Sequence, residues 1–199
     1  MAFEEDEEEE EQEHLVMTWS GELIEHVPNG TGVANYTNGD SYEGFYDKGI
    51  KQGHGVYKFS NGAVYDGEYI DNLRSGRGTM TYPDQSSYNG SWKDGKKDGS
   101  GTYIYPNGDI YKGEWLDDKR HGKGTYYFKA SMAQFCGDWE NGDFRKGEWI
   151  HRDGNTYEGS FMLNKPDGPG TFKFFRLNNL LNGEYKNQQW TSGQLVSLP

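Results

Sequence analysis

Residues 65–87 read YDGEYIDNLRSGRGTMTYPDQSS, and residues 88–110 repeat their pattern as YNGSWKDGKKDGSGTYIYPNGDI. In both stretches a tyrosine is followed by a glycine two residues later, by an aromatic residue four residues later, and by paired glycines at offsets 11 and 13. The same pattern opens at Tyr42 and Tyr111, so four tyrosines fall 23 residues apart. A fixed period of this length is typical of repeat proteins, in which each unit is one supersecondary element.

The repeat continues in both directions with local departures. Units start near residues 19, 42, 65, 88, 111, 135 and 157, and a partial unit starts at residue 181. The third unit carries Gln85 where others have the glycine of Asn-Gly, and the sixth unit, around Gly147, lacks its second paired glycine and has one residue inserted. We divide the chain into an acidic tail (1–14), a repeat array (15–185) and a C-terminal cap or tail (186–199).

One unit is predicted to be a β-hairpin. Tyr65, Gly67 and Tyr69 alternate with polar residues, which is the period of a strand, and a second alternating run follows with the paired glycines. The short link between the runs holds, at one fixed offset, residues that tolerate positive φ: Gly49, Asn72, Gly95, Asp118 and Asn164. Asn-Gly pairs at 38–39, 61–62 and 107–108 join the units, and such pairs favour type I′ turns.

These hairpins predict an all-β protein: an elongated, twisted, single-layer antiparallel meander. One face carries the large rings together with the glycines, so each ring can lie over a position that has no side chain. The opposite face carries charged and β-branched residues that suit solvent. About sixteen strands at ~4.8 Å spacing give a sheet on the order of 75 Å long. Replacing Gly78 or Gly101 by valine should destabilise it.

Composition agrees with a core built from rings. The hydrophobic fraction is 32%, the aromatic fraction is 16%, and there are 29 glycines. The net charge of −12 is concentrated in residues 4–13, which hold nine acids; without them 23 acids face 20 bases. Such a run is expected to be disordered, either as a solubilising tail or as a tether for a basic partner.

The remaining composition points to the cytoplasm. A single cysteine, Cys136, fits a reducing compartment, and we expect it to be a small buried apolar group. The N-terminus does not read as a signal peptide, and no apolar run approaches the length of a membrane span.

Catalytic, metal-binding and cofactor-binding residues are not predicted. The five histidines (His14, His26, His54, His121 and His151) fall at different offsets of the repeat, so they form no repeating metal site. The Gly-x-Gly pairs recur every 23 residues and precede no predicted helix, unlike phosphate-binding loops. The sequence therefore predicts a protein that is not an enzyme and needs no cofactor.

The motifs Tyr-Glu-Gly-Phe-Tyr (42–46), Tyr-Asp-Gly-Glu-Tyr (65–69), Tyr-Asn-Gly-Ser-Trp (88–92) and Tyr-Lys-Gly-Glu-Trp (111–115), each followed by Gly-x-Gly, resemble MORN repeats. Within that family the chain is similar to the radial spoke head protein 1 group of motile cilia. The resemblance rests on the acidic run, the block 55–63, the degenerate sixth unit, and residues 163–170 leading to 183–185. It implies a structural component of the axonemal radial spoke head.

The resemblance also implies protein partners, namely other radial spoke head proteins. Our candidate contact row, weighed against purely internal packing of the same rings, is Tyr65, Tyr69, Tyr88, Trp92, Tyr111 and Trp115. Open sheet edges make self-association a further expectation. The net negative charge disfavours nucleic acid.

The alternative function is membrane tethering, since MORN arrays are associated with phospholipids. It would need a basic stripe, and the nearest candidate is the group Lys93, Lys96, Lys97, Lys119, Arg120 and Lys123. We interpret these residues instead as charges that keep hairpin tips solvated, because acidic residues are interleaved with them and the acidic run opposes an anionic surface.

Overall fold

The computed structural model describes residues 16–197; the acidic run, and with it the predicted tail, lies outside the described residues. Within that range the chain folds into seventeen strands. The strands are β1 (Val16–Trp19), β2 (Glu22–Ile24), β3 (Val27–Tyr36), β4 (Ser41–Asp47), β5 (Ile50–Lys58), β6 (Val64–Ile70), β7 (Leu73–Thr81), β8 (Ser87–Lys93), β9 (Lys96–Ile104), β10 (Ile110–Leu116), β11 (Lys119–Phe128), β12 (Ala133–Glu140), β13 (Asp143–Ile150), β14 (Thr156–Met162), β15 (Lys165–Phe174), β16 (Asn179–Lys186) and β17 (Gln189–Ser197).

The sheet is a single antiparallel meander, which confirms the predicted fold class. From β3 to β16 each strand pairs with its predecessor and its successor in the sequence. The first two strands both pair with β3 and act as one strand that is interrupted at Ser20 and Gly21. The final strand, β17, lies in the segment expected to form a cap and extends the meander beyond β16.

Two kinds of turn alternate along the chain and define two edges. On the edge we call the turn edge, two residues with positive φ join the strands of one unit, as at Asp71 and Asn72 (φ 50° and 69°). This is a type I′ turn, whose twist matches that of the strands. All five residues predicted at this position have positive φ: Gly49, Asn72, Gly95, Asp118 and Asn164.

On the opposite edge, which we call the loop edge, the Asn-Gly pairs form a different type of turn from the one predicted. They do close hairpins, but only the glycine of each pair has positive φ, at Gly39, Gly62 and Gly108. In the first of these loops the Tyr36 N–H donates to the Asp40 carbonyl and the Gly39 N–H donates to the Tyr36 carbonyl. These bonds enclose three residues, so the turn is a type I turn with a glycine bulge instead of type I′.

The predicted packing of a ring over a pair of glycines is present in six units. A Cβ atom on Gly78 would overlap the Tyr65 ring, and one on Gly124 would overlap the Tyr111 ring. Across each pair of strands the glycines face one another, as Gly67 faces Gly78, and one ring covers both. The space that would hold two side chains therefore holds one aromatic ring, and these rings form the core of the single layer.

Hydrogen bonds also tie each hairpin to the one before it. At the turn edge the Asn72 N–H donates to the Lys51 carbonyl at 3.1 Å, and the Gly95 N–H donates to the Arg74 carbonyl at 3.0 Å. The same bond recurs at the following turns, from Asp118 and from Gly142. Because each turn is fixed to its neighbour as well as to its own strands, the hairpins hold fixed positions along the ribbon.

Candidate interaction surface

The six rings of the candidate contact row lie inside the protein. Their exposed fractions run from 0% to 5%. The rings meet edge to face: Tyr65 and Trp92 have centroids 5.3 Å apart at 86°, and Tyr88 and Trp115 repeat that contact at 5.3 Å and 81°. Edge-to-face packing is a favourable arrangement of aromatic quadrupoles. In the folded chain these six residues therefore pack internally, which is the role that we weighed against a partner contact.

The tyrosine hydroxyls of this row are used internally too. The Tyr65 hydroxyl donates to the Glu68 carbonyl at 3.1 Å, and the Tyr88 hydroxyl donates to the Ser91 carbonyl at 2.9 Å. Burial raises the pKa of Tyr65 and of Tyr88 well above the ordinary tyrosine value. Both hydroxyls therefore stay protonated at neutral pH and act as donors.

Basic side chains complete the ring core on the turn edge, a feature that our sequence analysis missed. The Arg120 guanidinium carbon lies 4.7 Å from a ring centroid of Trp139, and Arg120 Nη2 donates to the Gly142 carbonyl at 2.7 Å. Such cation–π contacts are strongest when the cation is desolvated. The signal in the sequence was a 23-residue spacing of basic residues on the second strand of each unit: Lys51, Arg74, Lys97 and Arg120.

The interpretation of the six clustered basic residues as solvated charges at hairpin tips is wrong for two of them, Lys97 and Arg120. The side chain of Lys97 is buried, lies 5.1 Å from the Trp115 centroid, and has its Nζ 3.8 Å from an oxygen of Asp118. Arg120 is also only partly exposed. These two are structural cations, whereas Lys93 remains exposed at a hairpin tip as predicted.

Carboxylates perform the matching role on the loop edge. Asp40 accepts hydrogen bonds from the Tyr57 hydroxyl at 2.6 Å, the Ser60 N–H at 2.7 Å and the Asn38 amide at 2.8 Å. Burial alone would raise the pKa of Asp40, but these hydrogen bonds outweigh it and hold that pKa below its usual range. Asp109 makes the same contacts three units later. One carboxylate thus joins two successive loops.

The sixth unit departs from this pattern on both edges. Phe144, which is fully buried, stands where other units have the basic residue, and its ring stacks on Phe135 at 4.8 Å. Ala133 stands where Asp40 and Asp109 stand, and the loop before it has four residues instead of three.

A cavity of about 450 Å³ opens at that point of the loop edge, and we call it the sixth-unit groove. It lies where the missing carboxylate would otherwise join two loops. Its lining residues are Phe128, Ser131, Ala133, Phe135, Trp149, His151, Arg152 and Asp153.

A second exposed feature lies on the turn edge of the first three hairpins. Large apolar side chains there are 37% to 57% exposed, in contrast to the buried rings. They form a row along consecutive hairpin tips: Leu23, Ile24, Val27, Ile50, Ile70 and Leu73.

Cys136 is exposed, so the prediction that it is buried is wrong. It pairs across the sheet with Thr125 and with Glu148, on the face opposite Phe135. Alternation along β12 places every second residue on the solvent face, and the parity of residue 136 assigns it there.

Metal ligands do not converge within residues 16–197, where no group of three or more His, Cys, Asp or Glu side chains could hold an ion. In the same range no helix is long and apolar enough to cross a bilayer.

Comparison with known proteins identifies the repeat. The family described as MORN repeat matches residues 42–64, 65–87, 88–110, 111–130 and 157–175, which together make up more than half of the chain. No curated protein matches.

Solved structures with a similar course of the chain include domains of CPAP proteins. The SAS-4 (dCPAP) TCP domain of Drosophila melanogaster, in complex with a proline-rich motif of Ana2 (dSTIL), is 16% identical, with a TM-score of 0.46 over 78% of this chain and 90% of that chain. A point mutant of the TCP10 domain of Danio rerio CPAP is 13% identical, with a TM-score of 0.40 over 83% and 88%. At this level the likeness carries no inference about function.

Proposed function

We propose that this chain, which belongs to the MORN-repeat family, is a non-enzymatic structural scaffold of the radial spoke head in motile cilia or flagella. In this role it would hold other radial spoke head proteins in place and so support ciliary beating. It would act in the cytoplasm and at the axoneme, without a cofactor. Self-association through the sheet edges is a further part of the proposal.

The observation that best supports the scaffold role is that successive hairpins are hydrogen-bonded to each other along both edges of the sheet. On the turn edge each turn bonds to the preceding hairpin, as Gly95 bonds to Arg74. On the loop edge Asp40 and Asp109 each bond the first N–H of the next loop. A ribbon fixed along both edges keeps distant surface residues at constant separation, which is what a spacer between partner proteins needs.

The assignment to the radial spoke rests on sequence features that the rings alone do not explain. These are the acidic run at 4–13, the block Gly55-Val56-Tyr57-Lys58-Phe59-Ser60-Asn61-Gly62-Ala63, and the degenerate sixth unit. The first could reach a basic partner, since clustered carboxylates attract cationic surfaces. The last places an irregular groove within an otherwise regular ribbon.

Membrane tethering would need a row of basic side chains on the surface, and two of the six candidates are not available for it. Lys97 and Arg120 contact rings inside the protein, so they cannot belong to a stripe that faces lipid. Of the others, Lys96 faces Asp117 at 3.8 Å and Lys123 pairs with Asp138 at 2.6 Å. Surface pairs of this kind leave less positive charge for anionic headgroups.

Localisation combined with purification would test the proposal. A tagged full-length chain, expressed in multiciliated cells, should enter the axoneme and co-purify with other radial spoke head proteins. Uniform cytosolic signal, or co-purification with proteins other than ciliary structural proteins, would contradict it. Co-sedimentation with phosphatidylserine vesicles tests the alternative, which predicts strong, salt-sensitive binding.

A further inference from the structure

We infer that the sixth-unit groove binds an acidic segment of a partner protein, one that places an aromatic or branched apolar side chain beside an Asp or Glu. The inference deepens the scaffold function proposed above, on which it rests only in taking the occupant to be a protein. The repeat itself supplies the comparison, because its regular units show how this position is normally filled.

In regular units a carboxylate is present on the loop edge only where the first residue of the next loop has a backbone N–H that can donate to it. Asp109 accepts from the N–H of Lys129, the first residue of the following loop, at 2.8 Å. Where that first residue is a proline, which has no N–H, the acceptor position holds a residue other than a carboxylate. The two cases are Ala63 before Pro83 and Ser86 before Pro106.

At the sixth unit donor and acceptor do not match. The loop begins with Arg152, which has an N–H, but Ala133 at the acceptor position has no side-chain oxygen. Within residues 16–197 neither the N–H nor the guanidinium of Arg152 has a hydrogen bond or an ion pair. The unit that follows restores the match, because Asn155 accepts from the Phe175 N–H at 3.1 Å.

The missing carboxylate leaves an apolar floor whose rim holds one guanidinium, Arg152, and one carboxylate, Asp153. Phe128 and Phe135 meet edge to face at 5.0 Å, and the Trp149 ring lies 4.2 Å from the ring of His151. The volume of about 450 Å³ is within the range of pockets that bind small ligands, and it is ample for one large side chain.

Charge selects the occupant of this floor. The carboxylate at the rim, Asp153, already accepts from the N–H and the side-chain amide of Asn155 at 3.0 Å and 2.8 Å. Asp153 keeps its charge, but its oxygens already have these donors, whereas the guanidinium of Arg152 has no acceptor within residues 16–197; a guanidinium pairs best with a carboxylate. An incoming Asp or Glu would take the place that Asp40 and Asp109 hold in their own units.

Reach favours a separate protein over the chain's own N-terminal segment, which contains Phe3 followed by Glu4 and Glu5. The chain enters the sheet at β1, beside β3, whereas the groove lies by β12. Nine strand spacings of ~4.8 Å amount to about 43 Å. Thirteen residues between Phe3 and Val16 span about 45 Å only when fully extended. A second protein meets no such restriction.

Two synthetic peptides probe the groove on the full-length, isotope-labelled chain. The acidic probe is acetyl-Gly-Phe-Glu-Glu-Gly-amide, and its neutral counterpart has glutamine in place of glutamate. We expect the acidic probe to shift the amide resonances of Ala133, Trp149 and Arg152 and to bind about tenfold more tightly than the neutral probe at low salt. Equal binding of the two probes, or no shift at these amides, would overturn the inference.

Matched variants separate the groove from the rest of the loop edge. Ala133→Asp supplies the missing carboxylate from within, so it should weaken the acidic probe about tenfold. Ala63→Asp makes the same change before a loop that begins with proline, Pro83, and it should leave binding as in the wild type. Unchanged binding by Ala133→Asp, with the remaining amide spectrum intact, would contradict the proposal.

Two further variants test the charge and the source of the occupant. Arg152→Gln should lower affinity for the acidic probe and leave the neutral probe unchanged; an equal loss for both would contradict the charge argument. Phe3→Ala should not shift the groove amides in the absence of a probe; a shift would mean that the chain's own segment fills the groove and that the partner is wrongly assigned. These tests use purified protein, so their failure leaves the ciliary proposal standing, and absence from cilia leaves them unaffected.

Discussion

The Tyr88 ring occupies the space above Gly101 on the neighbouring strand, where a Cβ atom would overlap its hydroxyl oxygen and ring carbons. Tyr88 itself is fully buried and is held by neighbouring rings, among them Trp92 at 5.2 Å. The tyrosine cannot move aside without disturbing the indole rings of Trp92 and Trp115, which both contact it. The absence of a side chain at residue 101 is therefore part of the packing.

Gly101→Ala should lower the free energy of unfolding by about 2 kcal/mol, and Gly101→Val by more, because extra atoms overpack a filled core. The control is Thr102→Val on the same strand and the opposite face, where a β-branched residue replaces another and the change should stay within ~0.5 kcal/mol. Urea denaturation of the three variants measures the difference. If Gly101→Val unfolded at or above the urea concentration that unfolds the wild type, the ring-over-glycine packing would be refuted.

Gln85 adopts φ 70° at the loop position where Gly39, Gly62 and Gly108 have positive φ in other units. A side chain in this left-handed region costs about 1–2 kcal/mol, part of which the flexibility of glycine in the unfolded chain offsets. Gln85→Gly should therefore stabilise the protein by about 1 kcal/mol and raise Tm by about 2–4 °C. The reciprocal change, Gly39→Gln, should lower Tm by a similar amount. Calorimetry that finds Gln85→Gly neutral or destabilising would contradict this account of the loop.

The regular parts of the fold could be predicted because they depend on short-range chemistry. Tyr-x-Gly-x-aromatic fixes both the strand period and the place of the ring, and positive φ at Asn72 or Asp118 follows from what those residues tolerate. The Asn-Gly turns were assigned the wrong type, because both turn types place glycine at positive φ. What separates them is the pairing of Tyr36 with Asp40, which is a matter of strand register.

The candidate site was harder to predict, because burial of a side chain depends on its neighbours. Lys97 lies beside Lys96 in the sequence, but only Lys97 points towards the rings and is buried. Composition suggests solvent for both, since lysine is rarely buried without a partner. The sixth-unit groove depends on what Ala133 lacks, and that is visible only when Asp40 and Asp109 are seen to bond the next loop.

Arg120→Met should destabilise the protein by about 2 kcal/mol, because it removes both the contact with Trp139 and a charged hydrogen bond to the Gly142 carbonyl. Lys119→Met is the matched control: it changes the adjacent, exposed residue at the hairpin tip, and its effect should stay within ~0.5 kcal/mol. Equilibrium unfolding in guanidinium chloride compares them, and the high ionic strength there leaves the buried contact largely unscreened. Equal effects of the two substitutions would return Arg120 to the class of solvated tip charges.

Asp40 makes stability depend on pH in a direction that its hydrogen bonds determine. Its pKa in the folded protein lies below the ordinary value, so folding favours the ionised form. The resulting stabilisation is complete above the unfolded-state pKa of about 3.9 and is lost as pH falls through the lower, folded-state pKa. Asp40→Asn should thus cost about 1–2 kcal/mol at neutral pH, where charged hydrogen bonds are replaced by neutral ones, and progressively less in acid.

Asp47→Asn, at an exposed hairpin tip, should have little effect at either pH. Urea midpoints measured from neutral pH down to about pH 3 test the relation, and a gap between Asp40→Asn and wild type that stayed constant or widened in acid would show that the carboxylate does not join the two loops as an anion.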